Sequence, residues 1–248
     1  MAWYHTFFEG LPQIAWKQNQ EEDQTEWEVD FLQDVLEISP GEQVLDVMAG
    51  YGRHALPLAR RGFVMTGVDI SAEYCEEFEQ VAQVEILPVT VVQSDFLAID
   101  LPHTPFDAAY CLGNSFSFFP REIMIDFLQK ISEHIKPGGR FVAHTQLLAE
   151  SILPNFQERS WMPVGQDILY LTSNQYDAMK GVILSELTYV KGREQMTRQV
   201  EQYVYSLSEV HALFQQAGLH LTEVFGSLDG EPFALGDEQA YLLATKTS

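Results

Sequence analysis

The sequence is poor in basic residues, and this shortage restricts the partners that it can have. It holds 14 Lys and Arg against 36 Asp and Glu in 248 residues, which gives a formal net charge of −22. Such a charge repels polyphosphate backbones and anionic membranes, and the sequence shows no basic stripe to offset it. We therefore expect neither a nucleic acid nor a membrane as partner.

Cysteine and long apolar runs are scarce as well. Cys75 and Cys111 are the two cysteines, and they form no CxxC pair, so we expect reduced thiols and no metal site. No run of about 18 apolar residues is present to span a membrane. The first residues, "MAWYHTFFEG", have no basic start and no signal-peptide core. These features predict a cytoplasmic protein, monomeric or homodimeric.

The pattern of apolar residues predicts an α/β protein with a β-rich insertion. Short apolar runs alternate with helical patterns from residue 43 to residue 148, which favours a parallel sheet covered by helices on both faces. Before them, residues 25–38 have helical spacing, with Thr25 as a possible cap. Between about residues 165 and 206, three segments alternate with period two and predict an antiparallel meander. A helix and two strands follow.

The stretch "VLDVMAGYGRHA", residues 44–55, carries the clearest chemical signal. Its G-x-G-x-x-A pattern fits the dinucleotide fingerprint, in which glycine lets a ligand approach the backbone and a helix start offers free N–H groups. Asp69 follows Gly52 by 17 residues, at the end of the next predicted strand. A carboxylate there can accept both hydroxyls of a ribose, so the expected ligand is a nucleoside.

Asp46 distinguishes between the possible nucleosides. Its carboxylate, at the end of the first strand, would repel a pyrophosphate but attract an ammonium group. S-adenosylmethionine offers an amino group for Asp46, a carboxylate for backbone N–H groups and a ribose for Asp69. The loop therefore favours S-adenosylmethionine as cofactor over NAD.

The same residues resemble a known family. The stretch "VLDVMAGYGRHALPLARRGFVMTGVDIS", with "SDF", "CLGN" and "KPGGRF" after it, is similar to the class I SAM-dependent methyltransferases, in particular to uncharacterised bacterial enzymes acting on small molecules. Met48 departs from the pattern, because the family has its first loop glycine there. The resemblance implies a Rossmann-like, doubly wound, seven-stranded and mostly parallel sheet with an antiparallel last strand.

The resemblance also implies how one methyltransferase domain is organised over residues 1–248. Residues 1–39 would form an N-terminal helical cap, and residues 40–147 and 206–248 the SAM-binding core. Residues 148–205 would form the β-rich insertion that covers the acceptor site.

Roles for cofactor-binding residues come from the same resemblance. Asp95 would accept from the adenine amino group, the backbone of Phe96 would address the ring edge, and Ile70 would pack on the ring. The residues themselves suggest two further roles. Arg53 would reach the cofactor carboxylate or be a solvated arginine in the first helical turn. Tyr4 would close over the site as part of a lid or pack against the sheet. The full set of expected cofactor-binding residues is Tyr4, Asp46, Ala49, Gly50, Gly52, Arg53, Asp69, Ile70, Ser94, Asp95, Phe96 and Leu112.

Candidates for the acceptor site are fewer. Asn114 would face the reacting centre, and His144 is a candidate base, although a lone strand histidine is usually structural. In the meander, Arg198 and Tyr203 are candidates for acceptor recognition, together with Arg193 and Tyr205; pairing with nearby acidic residues is the alternative for the arginines. The aromatic residues Phe116, Phe118 and Phe119 would line the acceptor pocket or belong to the core.

These features predict transfer of a methyl group from S-adenosylmethionine to a small-molecule acceptor. The sequence assigns no catalytic residue, because such a transfer depends mainly on alignment of the reacting atoms in a dry pocket. Two alternatives remain: an NAD-dependent oxidoreductase and a SAM-binding regulatory protein without turnover.

Overall fold

The chain folds around two β-sheets in the computed structural model, which describes residues 2–101 and 105–247. The strands are β1 (Gln43–Val47), β2 (Val64–Asp69), β3 (Val89–Gln93), β4 (Phe106–Cys111), β5 (Ile135–Thr145), β6 (Arg159–Val164), β7 (Ile168–Asp177), β8 (Val182–Lys191), β9 (Glu194–Tyr203), β10 (Leu219–Phe225) and β11 (Ala240–Lys246). The α-helices are α1 (Leu11–Gln18), α2 (Glu22–Leu36), α3 (Ala55–Arg60), α4 (Ala72–Val84), α5 (Arg121–His134), α6 (Ala149–Ile152) and α7 (Leu207–Gln216). Short 3₁₀ helices span Trp3–His5 and Ser115–Phe118.

The larger sheet has seven strands in the order β3-β2-β1-β4-β5-β11-β10. Strands β1 to β5 pair in parallel, whereas β11 runs antiparallel to both β5 and β10. The predicted doubly wound sheet with an antiparallel last strand is confirmed. Its chain order reverses between β1 and β4, and ligands bind in such sheets at this switch point, beyond the carboxyl ends of the strands.

The smaller sheet is antiparallel, in the order β6-β7-β8-β9. The predicted meander is confirmed and has one strand more than the three expected. The additional strand β6 contains Pro163 in the segment "RSWMPV", which weakens its strand signal. Because β6 lies at the edge of the sheet, one side of its backbone is not needed for pairing, and proline is tolerated there.

Local side-chain bonds fix where several helices begin. The Ser71 hydroxyl accepts from the Tyr74 amide at the start of α4, and Ser206 forms a capping box with Glu209 at the start of α7. The predicted cap at Thr25 is wrong. Thr25 lies inside α2 and donates its hydroxyl to the Glu21 carbonyl at 3.1 Å, a bond back to the preceding turn that threonine readily makes within a helix.

Apolar side chains cover both faces of the larger sheet. One layer includes Phe127 and Phe141, and the other includes Phe63 and Phe78, all four fully buried. Burying aromatic side chains of this size contributes roughly 1.5–3 kcal/mol each and holds the strand ends in fixed positions. Within residues 2–101 and 105–247, no helix has the length and apolar character that crossing a membrane requires.

Candidate active site

A cavity opens at the carboxyl ends of β1, β2, β3 and β4, where the sheet order reverses. Eleven of the twelve residues expected to bind the cofactor line it: Tyr4, Asp46, Ala49, Gly50, Arg53, Asp69, Ile70, Ser94, Asp95, Phe96 and Leu112. Residues that the sequence did not single out also form part of the wall: Phe8, Trp16, Tyr51, His54, Val68, Tyr74 and Ser115. Met48, Gly113 and Phe118 complete it.

Asp69, the last residue of β2, holds the glycine loop in place. One carboxylate oxygen accepts from the Gly50 amide at 2.7 Å, and the other accepts from the Ser71 amide at 2.8 Å. Burial raises the pKa of this carboxyl, and the backbone hydrogen bonds oppose the rise. Each oxygen keeps a further lone pair, so the carboxylate can still accept hydroxyl groups from a ligand in the cavity.

Asp46 on β1 is a buried carboxyl group, and the described residues around it offset little of the cost of burying its charge. Its residue is 2% exposed, and the Tyr110 hydroxyl on neighbouring β4 donates to it at 2.9 Å. Burial raises the pKa of Asp46 to about 7, although the bond from Tyr110 lowers it. A cation bound in the cavity would stabilise the charged carboxylate that burial disfavours.

The loop after β1 needs glycine at one position because of its packing. Met48, Gly50 and Gly52 all have positive φ angles, of 62°, 57° and 79°. A Cβ at Gly52 would lie 2.3 Å from a ring carbon of Phe78, so no side chain fits there. Gly52 is not among the residues that line the cavity, and the structure gives it a packing role: it lets α4 pack closely against the loop. Its contact with the cofactor stays a prediction.

A buried ionic network lies behind the loop. Glu28 on α2 accepts from both Arg53 and His54, at 2.9 Å from His54 Nε2, and Arg53 also reaches the Thr25 hydroxyl at 3.1 Å. Burial alone would raise the pKa of Glu28, but the bonds and charges of His54 and Arg53 outweigh it and lower the pKa to about 2. His54 is 6% exposed, because its ring completes this network.

The N-terminal segment closes one side of the cavity. Tyr4 stacks on Phe118 with ring centroids 6.0 Å apart, and the His5 Nε2 lies 3.6 Å from the Asp95 carboxylate. Asp95 also accepts from the Leu97 amide at 2.9 Å, which fixes the turn after β3. Trp3 donates to the Glu201 carbonyl on β9 at 2.8 Å. The segment thus connects the turn after β3 with the smaller sheet.

A second cavity of about 410 Å³ adjoins the first. Four residues line both cavities: Phe8, Trp16, Gly113 and Phe118. Aromatic residues of the N-terminal segment form one wall, and strands β6 to β9 of the smaller sheet form the opposite wall. Its volume lies within the range of pockets for small ligands.

Asn114 lines this second cavity, but His144 lines neither cavity. Asn114 Oδ1 accepts from the Gln146 amide at 2.8 Å, which directs its amide nitrogen away from β5. His144 Nδ1 accepts from the Asn114 backbone at 3.2 Å, and its Nε2 lies 3.2 Å from Gln239 Oε1. Burial lowers the pKa of His144 to about 4. Both ring nitrogens of His144 have a partner within the protein, so the histidine supports the Asn114 turn, and its role as a base stays a prediction.

The meander candidates lie outside the second cavity. Arg198 on β9 donates to the Thr197 carbonyl at 3.3 Å. Tyr203 packs against the core of the larger sheet, and Tyr205 donates to the Phe119 carbonyl at 2.6 Å. Arg193 is exposed at the turn before β9. Neither Arg198 nor Tyr203 lines the second cavity. Strand alternation directs Tyr203 to the other face of β9, whereas Arg198 lies on the same face as the lining residues Leu187 and Val200.

Several lining residues belong to segments without a recognisable sequence pattern. Phe118 lines both cavities, while Phe116 and Phe119 are buried in the core, so the aromatic run divides between the two roles considered. Phe8 and Trp16 lie in an N-terminal segment without a motif, and only tertiary packing brings them to the site. In the described part of the chain, no group of three or more His, Cys, Asp or Glu side chains is placed to hold a metal ion.

Comparison with known proteins identifies the family. A family model described as "Methyltransferase domain" matches residues 44–139. The cypemycin N-terminal methyltransferase of a Streptomyces species is 30% identical over 196 residues, which is 78% of this chain and 78% of that protein.

Solved structures agree in fold. The CcbJ methyltransferase of Streptomyces caelestis superposes with a TM-score of 0.84 at 16% identity, covering 98% of this chain and 99% of that one. SAM-bound CalS10 of Micromonospora echinaspora, an amino pentose methyltransferase, superposes with a TM-score of 0.73 at 19% identity, covering 96% and 98%. The site has a carboxylate near the end of each of the first two strands, around a glycine loop. Together with these relatives, this arrangement shows that the chain belongs to the class I SAM-dependent methyltransferases.

Proposed function

We propose that this enzyme transfers the methyl group to a small-molecule acceptor, with the cofactor in the first cavity and the acceptor in the second. The observation that carries the proposal is the wall that the two cavities share, formed by Phe8, Trp16, Gly113 and Phe118. Gly113 lies two residues after the end of β4, with a φ of 77°, and its missing side chain keeps this wall thin. Two ligands on either side of Gly113 would meet there.

The residues of the first cavity suit the parts of S-adenosylmethionine. Asp46 would accept the amino group, which supplies the positive charge that this buried carboxylate lacks. Asp69 would accept the ribose hydroxyls, and Asp95 with Ser94 and Phe96 would surround the adenine beside Ile70. Leu112 and Ala49 would pack on the methionine portion, and Tyr4 would cover the site.

The carboxylate end of the cofactor would bind near the loop and Arg53. The amides of Ala49, Gly50 and Gly52 are already bonded within the protein, to Val68, Asp69 and Ala49. Those three amides are therefore not available to a ligand carboxylate. The guanidinium of Arg53 faces the cavity while paired with Glu28, and Glu28 fixes its direction.

Bound S-adenosylmethionine supplies an electrophilic methyl group on a sulfonium. The protein's contribution is positioning: it aligns the acceptor across the shared wall and excludes water with aromatic side chains. Alignment of this kind can lower a barrier by about 7–11 kcal/mol. Asn114, at the edge of the second cavity, would orient the acceptor through its amide nitrogen, and no proton-transfer residue is assigned.

We place the enzyme in the cytoplasm as a monomer or homodimer, with residues 148–205 as an insertion that covers the acceptor. The acidic net charge of −22 supports a small-molecule acceptor over a nucleic acid.

The proposed function is tested with purified enzyme in two steps. Calorimetry should show binding of S-adenosylhomocysteine and none of NAD. The enzyme is then incubated with S-adenosylmethionine and either the ultrafiltered small-molecule fraction or the macromolecular fraction of a cell extract. S-adenosylhomocysteine should form with the small-molecule fraction. Product formation only with macromolecules would refute the acceptor class, and binding without product from either fraction would favour a regulatory protein.

A further inference from the structure

The walls of the second cavity differ in chemistry from each other and from the rest of the chain. One residue in five of the sequence is charged, yet no Asp, Glu, Lys, Arg or His is among the described residues that line this cavity. Burying a charge without a counter-ion is costly, so a charged ligand group would lose its hydration here without gaining a partner.

The wall formed by the smaller sheet carries a polar, uncharged strip. Side chains from all four strands form this strip, namely Ser160, Thr172, Asn174, Ser185 and Gln202. Apolar and aromatic side chains of the same strands line the rest of this wall, among them Leu187 and Tyr189. Ser160 and Thr172 face each other across β6 and β7 with their hydroxyl oxygens 2.7 Å apart. Such hydroxyl and amide groups can both donate and accept, which suits ligand groups that do the same.

Ser185 lies in the middle of this polar strip. The residue is 3% exposed and lines the cavity. It pairs with Asn174 of β7, so the two side chains lie on the same face of the sheet. A hydroxyl group at this position can donate a hydrogen bond to a bound ligand or accept one from it.

The opposite wall is aromatic. Trp3, Phe7, Phe8, Trp16 and Phe118 line it, and the rings of Trp3 and Phe118 lie 4.7 Å apart at 68°. The Trp3 indole nitrogen bonds to the backbone of β9, so this wall is attached to the polar one. A flat or weakly puckered ring with an apolar face would pack on these side chains.

We infer that the acceptor binds in uncharged form and presents an apolar ring face to Trp3 and Phe118 and several hydroxyl or amide groups to the strip containing Ser185. A glycoside is the simplest compound of this class. The inference rests on the proposed function, because it assigns the second cavity to the acceptor.

A matched pair of probes tests the charge requirement. 4-Nitrophenyl glucoside and 4-nitrophenyl glucuronide differ by one carboxylate in place of a hydroxymethyl group. Their binding to enzyme saturated with S-adenosylhomocysteine is measured by calorimetry at millimolar concentration. We expect the glucoside to bind at least tenfold more tightly. Equal or tighter binding of the glucuronide, or binding of neither glycoside, would overturn the inference.

A substitution tests the polar strip. Ser185→Ala should weaken glucoside binding about five- to tenfold, as expected for the loss of one hydrogen bond. Ser173→Ala is the control, since Ser173 is exposed on β7 between Thr172 and Asn174 and points to the other face of the sheet. Unchanged glucoside affinity in Ser185→Ala would count against the strip as the binding surface.

The affinity for S-adenosylhomocysteine separates this inference from the proposed function. It should be the same in both variants and in the unmodified enzyme, because Ser185 and Ser173 lie outside the first cavity. An enzyme that binds the cofactor product but prefers the glucuronide refutes the inference alone. An enzyme that does not bind the cofactor product refutes the proposed function.

Discussion

Asp46 is expected to stabilise cofactor binding at the expense of the ligand-free fold. Raising the pKa of a carboxyl from its ordinary 3.8 to about 7 corresponds to roughly 4 kcal/mol between its two protonation states. Because the pKa is higher in the folded state, the folded protein binds more protons than the unfolded chain between these pH values. The contribution of Asp46 to stability is therefore greatest at low pH and is lost as the pH rises towards 7.

Asp46→Asn removes this pH-dependent cost. The asparagine can still accept from Tyr110, but its buried NH₂ group carries a desolvation cost of about 1–3 kcal/mol. At pH 8 the ligand-free variant should therefore be more stable by about 1–3 kcal/mol, which raises its melting temperature by roughly 2–10 °C. At pH 4 the gain should disappear. Differential scanning calorimetry at both pH values measures it.

The same substitution should weaken cofactor binding. Loss of the contact between a carboxylate and an ammonium group is worth roughly 1.5–3 kcal/mol, or at least tenfold in the affinity for S-adenosylhomocysteine at pH 8. In the unmodified enzyme this affinity should decline below pH 7, and the decline should be absent in Asp46→Asn. Tyr110→Phe is the matched variant: without the hydroxyl, which lowers the pKa of Asp46, the decline should begin at higher pH. An Asp46→Asn variant that is less stable at pH 8 and binds with unchanged affinity would refute the reasoning.

Three further substitutions give predictions. Glu28→Ala should lower the free energy of unfolding by about 3–5 kcal/mol in urea titrations at pH 7, because it leaves Arg53 buried without its partner. Since the pKa of Glu28 is lowered to about 2, this loss should shrink as the pH falls from about 4.5 towards 2. An equal loss at pH 2 and pH 7 would contradict the ionic role of Glu28. Gly52→Ala should lower the free energy of unfolding by at least about 2 kcal/mol and weaken cofactor binding, because the added Cβ would collide with Phe78 and the φ of 79° disfavours alanine. A melting temperature equal to that of the unmodified enzyme would contradict this packing. His144→Gln should leave the pH–rate profile between pH 6 and 9 unchanged because the pKa of His144 is about 4; a lost inflection in that profile would restore its role as a base.

The cofactor half of the site was predictable because its chemistry is local in sequence. Asp46, the glycine loop and Asp69 belong to two consecutive strands, and parallel strands bring their carboxyl ends to one edge of the sheet. The alternation of apolar segments similarly predicted the larger sheet. These features depend on spacing along the chain, which a sequence shows directly.

The acceptor half of the site was harder to predict from the sequence because it depends on packing between distant segments. Trp16 of α1 and Ser185 of β8 face one cavity, and no spacing rule relates them. The alternation of β9 directs Tyr203 away from the cavity, and Arg198 does not line it although it lies on the cavity side of the strand. Likewise, Glu28 gave no signal, because its partners Arg53 and His54 lie 25 and 26 positions away.

A crystal structure of the enzyme with S-adenosylhomocysteine tests the central claim most directly, namely that two cavities meeting at Gly113 hold the cofactor and the acceptor. We predict the amino group of the ligand within hydrogen-bonding distance of Asp46, both ribose hydroxyls on Asp69, and the sulfur facing the wall that the second cavity shares. A ligand whose sulfur points away from Gly113, or whose amino group lies far from Asp46, would contradict the account.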